Sequence, residues 1–165
     1  MPSRIFHARL EDLPKETTFE GTYQRTGVVS DHALFAFAWV DAGFGADWAE
    51  DEPFPNMHSH EHDQLMVQIR GEQEMVVGDE QISLRAGEVL YIPSRVLHGG
   101  RPVGDEPTFL IEAFAPIRTD YLYIAEHQLS VGAPERLSDG SRVDTKSKRE
   151  AMSQVLSDSG LPSLR

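Results

Sequence analysis

Between residues 17 and 115 the chain breaks into short apolar runs separated by glycine, proline and acidic residues, with little helical periodicity before residue 120. TTFEGTYQRTGVV (17–29) is β-branched and aromatic with glycine punctuation, and predicts one or two short strands. HALFAFAWV (32–40) is apolar at both parities and predicts a strand buried on both faces. A strand from about His58 to Ile69 follows, then three more within GEQEMVVGDEQISLRAGEVLYIP (71–93). Gly78-Asp79 predicts a hairpin turn and Ala86-Gly87 the next turn. TFLIEAFA (108–115) is the last clear strand, stopped by Pro116. Some eight short strands at close spacing predict an all-β sandwich or barrel.

Three segments follow from this pattern. Residues 1–16 read as a lead-in, with Pro14 ending any local helix, and residues 17–132 as the barrel. Residues 133–165 read as a tail rich in Ser, Asp, Arg and Lys, helical or disordered. Asp144 is placed to cap a short helix there, with Ala151, Met152, Val155 and Leu156 as its apolar stripe. Loose packing on the barrel is the expectation, and a lid over the pocket mouth the alternative. The stretch DAGFGADWAEDEPFP (41–55) cannot make a ladder and predicts a loop, its acidic part Asp47–Glu52 a solvated connection.

The 165 residues fit one domain with a genuine core, and the apolar content argues against global disorder. A formal net charge of −12 disfavours nucleic acid, which wants a basic face. The absence of cysteine excludes disulfides, thiolate metal sites and cysteine nucleophiles. MPSRIFHARLEDLP has no apolar signal-type core and no run is long enough to cross a bilayer, so a cytoplasmic protein without a membrane partner is expected.

The candidate chemistry lies in NMHSHEHDQLMVQIRG (56–71) and GEVLYIPSRVLHGG (87–100). On a flat strand, alternation puts His58, His60, His62 and Gln64 on one face, and a neighbouring strand would supply His98. Any one of these histidines alone is more simply a satisfied polar residue. Donors converging from two segments point instead to a divalent metal. His62 depends on strict strand regularity, and a bulge would turn it into a supporting or loop residue.

These residues resemble the cupins, whose motifs are written G-x5-H-x-H-x3,4-E-x6-G and G-x5-P-x-G-x2-H-x3-N. Here the first reads His58-Ser59-His60, three residues, Gln64, six residues, Gly71; the second reads Gly87, five residues, Pro93, and His98 five positions on. Gln64 replaces the glutamate, Arg95 the second glycine and Pro102 the final asparagine, and no glycine stands at the motif's place before His58. The resemblance implies a double-stranded β-helix barrel holding one divalent ion (Zn, Ni, Mn or Fe) on His58, His60, Gln64 and His98. It carries with it a homodimer formed through the N-terminal strands or an exposed sheet. Three neutral imidazoles and an amide leave the ion's charge uncompensated, which favours Lewis-acid chemistry over oxygen activation.

HSHEHDQ and EAFAPIR are similar to the corresponding segments of the pectin-degradation cupins of the KdgF group, which linearise unsaturated uronates. That likeness implies Glu112 as the proton-transfer group, Phe114 as a pocket wall and Arg118 as the clamp for a substrate carboxylate. Glu112 is one methylene longer than the group's aspartate, a displacement of about 1 Å. The plainer alternative has Phe114 in the core, Glu112 in solvent and Arg118 paired with Asp120. Tyr91 is a further candidate for substrate contact, and Arg70, Arg95 and Arg101 for the mouth. The expected activity is isomerisation by proton transfer on a small sugar acid or other carboxylate. An Fe(II)-dependent dioxygenase and a non-catalytic ligand-binding module are the alternatives.

Overall fold

The computed structural model describes residues 6–48 and 54–129. Among them are nine strands: β1 (Glu16–Thr18), β2 (Tyr23–Val29), β3 (Leu34–Val40), β4 (Asp63–Arg70), β5 (Glu72–Val77), β6 (Glu80–Arg85), β7 (Val89–Ile92), β8 (His98–Pro102) and β9 (Thr108–Ala115). Two antiparallel sheets, ordered β1-β2-β3-β9-β4-β7 and β6-β5-β8, make the jelly-roll barrel. Met66, Ile92 and Leu110 from the larger sheet pack with Met75 and Leu84 from the smaller one, closing the core between them. A 3₁₀ segment, Thr119–Ala125, and a short helix α1 (Glu126–Leu129) follow β9. The predicted tail helix lies outside the described residues.

Strand parity decides what points inward. Across the large sheet, Val29, Leu34, Phe114, Gln64 and Ile92 form one transverse row, and Gly27, Ala36, Glu112, Met66 and Leu90 the next. Leu122 and Ile124 of the 3₁₀ segment cover the end of the first row, with Ile124 seated over Gly27. The opposite parity faces out: Phe35, Ala113, Leu65 and Tyr91 align across four strands, and Phe35, Leu65 and Tyr91 are exposed. The expectation that 32–40 is buried on both faces is therefore corrected. Its inner parity is fully buried, while Phe35 on the outer face is 37% exposed.

Residues 49–53, most of the acidic part expected as a solvated connection, lie outside the described residues, while the described flanks of the 41–55 loop pack inward. Phe44 and Phe54 are buried, and Arg101 ties this segment down through the carbonyls of Gly45 and Trp48 at 3.3 and 3.1 Å. Strands β5 and β8 approach so closely that a Cβ on Gly100 would sit 2.3 Å from Met75 Sδ and 2.9 Å from the Glu74 carbonyl oxygen. The methionine can move but the carbonyl cannot. Gly100→Ala is expected to cost about 1–3 kcal/mol by overpacking, lowering the urea midpoint with an unchanged slope. An unshifted midpoint would contradict this packing.

Candidate metal centre

Residues 58–62 precede β4 and form no regular strand. Strand alternation therefore does not position His58, His60 and His62, and a different device brings the segments together. His58 and His98 make an isolated antiparallel bridge, each amide donating to the other's carbonyl at 2.9 and 2.8 Å. One step along, Arg95 N–H donates to His60 O at 2.7 Å. Arg95 has φ 68°, the left-handed region glycine tolerates, and it occupies the glycine place of the second motif. That turn aims its amide at His60, and the two segments close on each other.

The rings are then locked from behind. Nδ1 of His58 meets the Asn56 carbonyl at 2.9 Å, that of His60 meets His62 O at 2.9 Å, and that of His98 meets Val96 O at 2.8 Å. A carbonyl can only accept, so each Nδ1 carries the proton and each Nε2 presents a lone pair. Nitrogen atoms of the three rings lie within 4.8 Å of one another. His98 Nε2 is buried with no hydrogen-bond partner in the protein. Burial holds the His98 imidazole down to about 4 and also lowers that of His58, keeping both neutral as ligands must be. His62 contributes its carbonyl to His60, and its ring stands outside the cluster.

Gln64 joins this cluster to an acid. Its Nε2 donates to Glu112 Oε1 at 2.8 Å, which turns Oε1 toward His60 Nε2 at 3.0 Å. With the His60 proton on Nδ1, that contact brings two lone pairs together, an arrangement a cation relieves. The residues therefore fit a divalent ion on His58, His60, Gln64 and His98. A glutamate at position 64 would set its carboxylate against that of Glu112, and like charges so close cannot both ionise. Glu112 is buried, so the solvent-facing alternative is excluded. Burial raises its pKa, opposed by the charges of Arg25 and Arg118.

A cavity of about 90 Å³ opens beside these groups, walled by Tyr23, Asn56, His58, Gln64, His98 and Glu112. Phe114 does not line it; the ring is buried behind, edge-on to His60 at 5.6 Å. Arg118 sits beyond Phe114, stacked 3.5 Å over Tyr121 and bonded to Asp120 at 3.3 Å, as the plainer alternative expected. Tyr91 is corrected: Ile92 faces inward opposite Gln64, so parity turns Tyr91 to the outer surface. Arg95 pairs at the surface with Glu61, and Arg101 with Glu74. The sequence reading missed Tyr23 and Asn56 as cavity residues. The inward parity of β2 would have found Tyr23, had the 3₁₀ break at Phe19–Gly21 not reset the count.

The depressed His98 pKa has a thermodynamic consequence. Between the ordinary imidazole value near 6.5 and about 4, the unfolded chain binds a proton that the fold refuses, so stability falls as pH falls through that window. Metal-stripped protein is expected to lose Tm steadily from pH 7 to 4.5, and His98→Gln to lose less over the same range. Equal slopes for the two proteins would contradict the burial of a neutral His98.

A family model described as a cupin domain matches residues 48–114. No curated protein matches the chain by sequence. Among solved structures, an RmlC-like cupin from Shewanella frigidimarina is similar at 24% identity and TM-score 0.57, covering 73% of this chain and 99% of its own. KdgF from Halomonas sp. is similar at 22% identity and TM-score 0.57, covering 72% and 98%. FeII HppE is similar at 14% identity and TM-score 0.52, covering 67% and 60%. At these identities the structures speak for the fold alone. The matched domain, the barrel and the three converging imidazoles together identify a cupin domain over residues 48–114, with a likeness in fold to KdgF.

Proposed function

We propose that this cupin is a metal-dependent enzyme that isomerises a small unsaturated sugar acid by proton transfer. The observation that carries the proposal is Glu112: a buried carboxylate in the wall of the imidazole cavity, tied to the cluster through the Gln64 amide. His58, His60, Gln64 and His98 would hold one divalent ion (Zn, Ni, Mn or Fe). Bound there, it would act as a Lewis acid on a substrate oxygen.

Glu112 does the proton work. As a carboxylate it takes the proton of the anomeric hydroxyl while the ring bond to the anomeric carbon opens. As an acid it returns that proton to the vinylic carbon, leaving an open-chain aldehyde and ketone with no net change in atoms. Burial suits it to both halves, because a raised pKa lies nearer neutrality than that of a free carboxylate. Gln64 N–H keeps the accepting oxygen oriented. Arg118 is the group for the substrate carboxylate, which would displace Asp120 from a guanidinium contact of 3.3 Å. Phe114, between Arg118 at 5.1 Å and His60 at 5.6 Å, fixes the spacing of charge and imidazole.

The test is turnover of a panel of unsaturated uronates by metal-loaded protein, followed by loss of ultraviolet absorbance. Glu112→Gln should lower kcat by about 10²-fold or more with metal content unchanged, and Arg118→Ala should act mainly on KM. Wild-type rates in both variants would remove both assigned roles. Oxygen uptake with substrate in place of isomerisation would point to an oxygenase instead.

A further inference from the structure

One wall of the cavity takes no part in the proposed proton transfer. It is made by Tyr23 of β2 and by Asn56, just before the first histidine. The Tyr23 ring packs against Phe19 and Phe44 at 6.2 and 5.8 Å between centroids, contacts a phenylalanine would make equally well. Among the described residues, the neighbouring hydrogen bonds run from Arg25 to Glu16 and Tyr123 and from Tyr123 to Glu16, without the Tyr23 hydroxyl. Asn56 Nδ2 donates to the Gly100 carbonyl at 2.8 Å, which fixes the amide and leaves Oδ1 buried without a partner. The backbone makes room for that oxygen: a Cβ on Gly99 would lie 2.7 Å from it.

A buried, unpaired amide oxygen is destabilising, because its desolvation goes uncompensated. Asn56 lines the same cavity as the Tyr23 phenol. One group accepts and the other donates, and a hydroxyl is the small group that does both in return. We infer that Tyr23 and Asn56 form a hydroxyl-recognising subsite, so that the substrate carries at least one free hydroxyl besides its carboxylate. This rests on the proposed function for the orientation of the substrate's acid end. The subsite would distinguish hydroxylated sugar acids from plain carboxylates of the same shape.

The probes are D-glucuronate and cyclohexanecarboxylate, a ring acid with hydroxyls and one without, titrated calorimetrically into zinc-loaded protein. The wild type should bind glucuronate at least tenfold more tightly. Tyr23→Phe should lose most of that preference while keeping its affinity for cyclohexanecarboxylate, which also reports that the variant is folded. Equal affinities in the wild type, or a Tyr23→Phe variant whose preference is intact, overturn the inference. A variant that loses both ligands in parallel also overturns it, since Tyr23 would then be structural. Wild-type uronate turnover, measured alongside, separates the two ideas. Preference without turnover leaves the subsite standing and removes the proton-transfer reading; turnover without preference removes the subsite alone.

Discussion

Three backbone carbonyls, those of Asn56, His62 and Val96, decide what this site can be. Each takes the Nδ1 proton of one imidazole and thereby commits the far nitrogen to act as a lone-pair donor. The bridge between His58 and His98 then holds the two chain segments in register, so that the donors meet. The rest of the barrel serves this constraint. Gly99 and Gly100 allow the close approach of β8, and Arg95 accepts an unfavourable backbone conformation to turn the chain toward His60.

The second layer of organisation is the amide of Gln64. An amide offers an oxygen to one side and N–H groups to the other, and here the two sides face different chemistry. That polarity lets a carboxylic acid sit directly behind a ligand position without charge repulsion. The departure from the usual cupin glutamate and the presence of buried Glu112 are thus a matched pair. Exchanging either one alone would leave a lone pair, or a charge, against its own kind.

Sequence patterning recovered the barrel because strand parity is robust where a strand is regular. On β9 the alternation put Glu112 and Phe114 on one face, and both are buried there. Parity misled where the phase was not fixed by a ladder. His58 to His62 looked like the start of a strand, yet the Nδ1 atoms of His58 and His60 bond to nearby carbonyls and β4 begins only at Asp63. Tyr91 lost its expected place because Ile92, one residue on, is the one that faces inward. Phe44 and Phe54 were hidden by acidic and glycine neighbours that read as loop, although tertiary packing draws both rings inside. Asn56 carries no local signal: its role arises only when β8 passes within reach.

Everything in this site turns on whether His58, His60 and His98, with Gln64, bind one ion together. X-ray absorption on the zinc-loaded protein reads that ligand set directly. Imidazole scattering from three rings and one further oxygen is expected at about 2.0–2.1 Å, reduced to two rings by His98→Ala. A spectrum with a single imidazole, or one that His98→Ala leaves unaltered, would contradict it.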